Sequence, residues 1–166
     1  MCKIRGGIAY NVGDVYTDDS GTVLGYIFDV QNEYIKIAYT KIIPDDDNSS
    51  GFLWSVNEVP ETLIGINDGD VLLNTIKGID EDLSDYPVFS QIPDGWYLPT
   101  KDEFLLMYKN INGDVYGGWD NGFFWTSTLI DITMCYYFGD YDPYFFEGEI
   151  TSEYNYLIPV KKIIIY

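Results

Sequence analysis

Trp96-Tyr97-Leu98-Pro99-Thr100-Lys101-Asp102-Glu103-Phe104 contains a complete helix start. Pro99 closes the extended segment before it, because the residue preceding a proline is pushed out of the helical region. Thr100 stands at the cap position, and Glu103, three residues later, completes a capping box ahead of Phe104-Leu105-Leu106-Met107-Tyr108. The helix is predicted from about Lys101 to Lys109, stopping at the Asn110–Gly113 turn. Upstream of it, Trp96 and Leu98 alternate toward a core.

Away from this helix the pattern is β-rich. Thr22–Val30 and Tyr34–Tyr39 flank Gln31-Asn32-Glu33 and read as a paired hairpin. Downstream, 122–128, 133–138, 144–150 and 156–165 read as four strands between turns rich in Gly, Asp and Pro, with sequence neighbours pairing antiparallel. Between the two regions a short helix is expected near Val59–Ile64 or Val71–Ile76, although Gly65, Gly69 and Gly78 interrupt the period. Pro44–Gly51 is a solvated loop. With no internal repeat or linker, the 166 residues are read as one domain: a hairpin and loop-rich part over 1–93 and a core over 94–166.

Composition narrows the function. The 9 Lys+Arg against 27 Asp+Glu give a net charge of −18, which repels phosphate backbones and anionic lipid surfaces, so no nucleic acid is expected as a partner. No apolar run reaches the roughly 20 residues that cross a bilayer, so no membrane insertion is expected. Met1–Gly7 carries no apolar signal segment; the expectation is a chain made without one, as a virion protein is, or one whose export signal lies outside this sequence. The two cysteines, Cys2 and Cys135, cannot build a disulfide framework, and with no His and no CxxC spacing there is no zinc site. Cys135, within Met134-Cys135-Tyr136-Tyr137-Phe138, reads as a small buried apolar residue.

Four segments in fixed order, Trp96–Phe104, Phe124-Trp125-Thr126-Ser127-Thr128, Cys135-Tyr136-Tyr137-Phe138 and Leu157-Ile158-Pro159-Val160-Lys161, resemble a family of bacterial surface and fimbrial domains with the C-type-lectin fold. That family is typified by W-x-L-P-T-x-x-E-L, Y-W-S-S-T and R-P-V-R motifs. Asn11–Tyr16 leading into Gly25–Asp29 resembles the opening of its longer members. The resemblance implies an α+β, C-type-lectin-like fold: a twisted antiparallel sheet with one or two short helices. Formylglycine-generating enzymes and the variable proteins of diversity-generating retroelements are relatives, the latter binding ligands through a surface late in the sequence. The closing motif departs from the pattern, since Ile158 stands where an Arg is usual and Lys161 replaces the last Arg. The motifs themselves read as scaffold, so function has to be argued elsewhere.

The segment between Trp119 and Asn155 holds the candidate ligand-binding residues: Trp119, Asp120, Asn121, Asp131, Tyr136, Asp140, Tyr141, Asp142, Tyr144, Glu147, Glu149, Glu153 and Tyr154. Tyrosines give large rigid contact area and carry a hydroxyl, which suits protein or sugar recognition. The plainer alternative is a Tyr-rich β-protein whose rings are half-buried and whose acids only keep it dissolved. Calcium is the cofactor to test, since lectins of this fold use it. However, the Asp45–Gly51 loop fails the spacing of an EF-hand, and although Asp140-Tyr141-Asp142 is able to place two carboxylates on one side of a turn, the Glu-Pro-Asn loop and Trp-Asn-Asp strand of sugar-binding lectins are missing. No enzyme is expected: His is absent, no Ser or Cys has an activating partner, and the paired cysteines of the formylglycine-generating enzymes are missing.

The leading expectation is therefore an extracellular, cell-surface or virion-associated adhesion module that recognises a protein or glycan. In its sharper version it is a retroelement-diversified variable protein, because the Asn, Tyr, Asp, Ser, Thr and Ile here suit adenine-rich codons. The alternative is a structural or assembly subunit of a fimbria or phage particle, a homo-oligomer whose apolar tail Ile163-Ile164-Ile165-Tyr166 pairs with a neighbouring chain.

Overall fold

The computed structural model describes residues 3–5, 8–45 and 50–165; Cys2, Tyr166 and the centre of the Asp45–Gly51 loop lie outside them. The helix start forms as the sequence dictates. Thr100 Oγ1 accepts the Glu103 N–H at 3.2 Å and the Glu103 carboxylate accepts the Thr100 N–H at 3.1 Å, opening a helix over Lys101–Asn110 (α3). Its inner face buries Phe104 and Met107, and Phe104 stacks on Phe138 at 4.7 Å and Phe124 at 5.6 Å.

The rest is mostly antiparallel sheet with short helices, an α+β molecule. A short pair, Lys3–Arg5 (β1) with Ile8–Tyr10 (β2), precedes a four-stranded sheet. Its order is Val15–Thr17 (β3), Val23–Val30 (β4), Tyr34–Tyr39 (β5) and Val160–Ile164 (β9). The predicted hairpin is thus β4–β5, but the last strand does not join its sequence neighbours. It returns to β5, with Tyr34 opposite Ile164 and Ala38 opposite Val160. Phe124–Leu129 (β6), Met134–Phe138 (β7) and Phe145–Glu149 (β8) form a separate antiparallel sheet.

Both expected helical positions between the sheets are used. Glu61–Leu63 is a single 3-10 turn, and Gly69–Ile79 (α1) is a helix whose cap, Asp68, accepts from the Asp70 and Val71 N–H groups. Gly69 sits so close to the chain ahead of α3 that a Cβ would overlap the Leu98 carbonyl oxygen, which is why a helix can begin on a poor helix former. Pro87–Ser90 (α2) adds one turn.

One large cluster joins the early and late chain: Phe28, Trp54, Leu72, Phe104, Phe124 and Val160 all belong to it. A smaller cluster of Tyr10, Ile27, Ile35, Ile37, Trp96 and Ile165 covers the opposite face of the first sheet. Trp96 and Leu98 are both buried, but in different clusters rather than one: Trp96 belongs to the smaller cluster and Leu98 to the larger. The four sequence motifs interlock through backbone bonds. Tyr97 and Val160 exchange N–H···O bonds at 2.9 and 2.8 Å, Ser127 N–H donates to Pro99 O at 2.8 Å, and Trp125 N–H donates to Tyr156 O at 2.9 Å. Of the β6 hydroxyls, Thr126 donates to Tyr136 O and Thr128 accepts the Lys101 N–H, while Ser127 Oγ is buried with no hydrogen-bond partner among the described residues. Cys135 is fully buried between the Thr126 and Thr128 carbonyls, and burial pushes its thiol pKa well up, so it is inert packing.

Candidate functional site

The second sheet has two unlike faces, because strand residues alternate. On β7, Phe138 and Tyr136 turn toward α3: Phe138 enters the core, and Tyr136 lies under the Lys101 ammonium, 4.2 Å from ring centre to nitrogen. Glu147 and Glu149, exposed, pair across from Tyr136 and Met134 on that same side. Tyr137 points the other way, across from Phe146 on β8.

Around that outer pair the chain builds an aromatic patch. Tyr137 and Phe146 rings lie 5.6 Å apart, Tyr141 packs on Phe146 at 4.7 Å, and Phe123 meets Tyr137 at 5.5 Å and Tyr141 at 6.3 Å. Phe123 is 42% exposed and Tyr141 53%, so the patch faces solvent. Between these two rings a groove of about 130 Å³ opens, lined also by Asp120, Gly122 and Asp140. Nearby Asp140, burial and Tyr144 together push the Tyr108 hydroxyl pKa up to about 12. Burial first, then Glu153 and Tyr141, raise the Tyr137 hydroxyl pKa, which puts a further carboxylate beside the rings.

Asp120, Asp140 and Tyr141 of the predicted set thus meet in one groove. Asp142 sits exposed at the turn beyond it, beside the cis Asp142–Pro143 bond, and Tyr154 is 56% exposed. The others lie elsewhere. Trp119 corrects the expectation of a surface ring: it is 8% exposed, its indole N–H donates to Ile111 O at 3.3 Å and it packs on Phe104 and Tyr116. A buried Trp needs one polar partner, and the chain turn after α3 supplies it. Tyr144 is half-buried, its ring parallel to Phe138. Asp131 accepts the Thr133 N–H and hydroxyl, bonds that hold its carboxyl below the usual range, so it closes a turn. Glu153 accepts the Glu149 N–H. Asn121 donates to Tyr116 O and borders a separate cleft of about 380 Å³ beside Lys41 and Asp45.

Sequence reasoning missed Phe123, Tyr137 and Phe146, which read only as strand residues. Alternation in Tyr136-Tyr137-Phe138 puts Tyr137 on the face opposite Phe138, but Cys135 and Trp125 on that face are buried, so the pattern alone did not reveal the patch. It also missed a second cavity of about 510 Å³, lined by Tyr34, Lys36, Asp68, Tyr97, Glu103 and Lys162 among others. There Lys36 Nζ lies 2.9 Å from Glu103 Oε2, the oxygen that also accepts the Tyr97 hydroxyl at 2.8 Å. Burial pulls the Lys36 pKa down, but the Glu103 carboxylate outweighs it and the ammonium ends above the ordinary lysine value. With both oxygens of Glu103 used, this network ties α3 to β5 and reads as structure.

Among the described residues no three acidic or cysteine side chains are grouped to hold a metal ion, and Asp140 and Asp142 belong to no such group. No helix among them is long and apolar enough to cross a membrane. No family model matches the sequence, and no curated protein matches it.

Proposed function

We propose that this chain is a C-type-lectin-like ligand-binding module that recognises a protein or glycan at a cell surface, through the face built from Phe123, Tyr137, Tyr141 and Phe146. The fold reading is supported by the way the four sequence motifs interlock through the Tyr97–Val160 and Ser127–Pro99 bonds and the pairing of Phe124 and Trp125 with Phe138 and Tyr137. The observation that carries the function is that these four rings pack on one another while Phe123 and Tyr141 stay open to solvent. Rigid exposed aromatics rimmed by polar groups are what recognition surfaces use for contact area. The sheet behind supplies the rigidity.

A screen of a glycan and cell-surface protein array with the wild-type chain and the Phe123→Ser/Tyr141→Ser variant tests this. Both positions are exposed, so the variant keeps its stability within about 1 kcal/mol. Affinity for each genuine hit should fall roughly 30-fold or more, the loss of about 2 kcal/mol typical of an aromatic anchor. Hits held equally well by the variant would remove the reading. An assembly subunit of a fimbria or phage particle remains the second reading, and Ile164 favours it: this residue on β9, at the end of the first sheet's strand order, is 46% exposed.

A further inference from the structure

The groove between Phe123 and Tyr141 has a chemistry narrower than general adhesion. Resting on the recognition reading above, we propose that it is a cation pocket that seats the side chain of a lysine or arginine from a basic partner protein.

Size is the first argument. At about 130 Å³ the groove falls well below the roughly 300–1,000 Å³ of small-molecule sites, and it fits the end of one side chain. Chemistry is the second. Two aromatic rings, Phe123 and Tyr141, and two carboxylates, Asp120 and Asp140, line it, and no Lys or Arg does. A cation gains from the ring quadrupoles and from both acids, whereas an anion is repelled and a neutral apolar group would leave the carboxylates desolvated. Preorganisation is the third. Phe146 packs on the Tyr141 ring and Tyr137 on the Phe123 ring, and a Cβ at Gly139 would crowd the Phe123 ring at 2.9 Å.

The rest of the molecule supports this assignment. Lys36 and Lys162 sit over Tyr34, Lys101 over Tyr136 and Phe145, and Lys161 over Trp96. None of the cation–ring contacts among the described residues uses Phe123 or Tyr141. Four lysines, Lys36, Lys101, Lys161 and Lys162, are engaged at other rings and Lys41 pairs with Asp45, so none of these five supplies a cation to the groove. With a net charge of −18 the whole molecule draws a basic partner toward it.

Two probes of one shape decide the point: N-acetylarginine amide and its neutral isostere N-acetylcitrulline amide. Each is titrated into the 15N-labelled protein at physiological ionic strength, where non-specific charge attraction is screened beyond about 8 Å. The arginine probe should shift the amides of Gly122, Phe123, Asp140 and Tyr141 saturably. Its affinity should drop at least about 10-fold in Tyr141→Ala and in Asp120→Asn, while the citrulline probe gives no saturable shift. Equal saturation by citrulline, or arginine shifts spread evenly over Asp68, Asp70 and Asp102, would overturn the cation assignment. So would no binding of either probe. The recognition reading fails separately, only if the array hits ignore the Phe123→Ser/Tyr141→Ser variant.

Discussion

Replacing Glu103 by alanine is expected to remove about 3–4 kcal/mol of stability, a large share of the roughly 5–15 kcal/mol that a domain has. The side chain serves three partners at once: the Thr100 N–H at 3.1 Å, the Tyr97 hydroxyl at 2.8 Å and the Lys36 ammonium at 2.9 Å. Truncation opens the capping box, strands a phenol that is 6% exposed and leaves a partly buried cation without its counter-charge. Lys36 and Glu103 side chains keep 20% and 10% exposure, so water softens the loss and the figure belongs at the low end for a broken buried pair. Glu103→Gln retains a group that can close the capping box and accept from Tyr97, and should cost about half as much. Urea unfolding of the two variants measures this directly. A loss under about 1 kcal/mol for alanine would mean that the network is solvated and that α3 is held by its apolar face alone.

Alkali should unfold the protein at a pH set by its buried tyrosines. Burial, with Glu103 close by, raises the Tyr97 pKa, and burial also raises that of Tyr116, whose hydroxyl donates to Tyr39 O at 2.7 Å. Tyr108 is pushed up to about 12. In the unfolded chain these phenols ionise near 10, so above that pH the folded state binds more protons than the unfolded one. Stability is then complete below pH 10 and is lost as pH rises through it, by about 1.4 kcal/mol per pH unit for each of Tyr97 and Tyr116. Absorbance at 295 nm and far-ultraviolet circular dichroism, followed together, should show exposed tyrosines titrating near pH 10 with the fold intact. The remainder should ionise only as the dichroism collapses between about pH 11 and 12. Smooth titration of all 16 tyrosines around pH 10 in a folded protein would contradict the burial of Tyr97 and Tyr116.

Much of the architecture was legible because its causes are local. The capping box of Thr100 and Glu103 needs only neighbouring residues, and so do the hairpin at Gln31–Glu33 and the three short strands after Gly122. The return of β9 to β5 was not legible, since it pairs Tyr34 with Ile164 across most of the chain and nothing nearby encodes it. The α1 helix was half-hidden by Gly69, a residue kept by the nearby Leu98 carbonyl rather than by helical preference. At the candidate site, Asp120, Asp140 and Tyr141 stood out as polar or tyrosine residues in turns. Phe123, exposed, and Phe146, half-buried, did not, because phenylalanines imitate core until the faces of the sheet are known. Trp119 erred in the opposite sense: it lies among turn residues in sequence, yet its indole completes the core beside Phe104.

The claim on which everything functional rests is that the patch of Phe123, Tyr137, Tyr141 and Phe146 is where a partner lands. Amide and aromatic chemical-shift mapping with an array-identified ligand addresses it most directly. The expected result is a single cluster of changes over Phe123, Tyr137, Tyr141 and Phe146, with the cavity beside Lys36 and Lys162 silent. Changes centred on that cavity instead, with the four rings unmoved, would contradict the account.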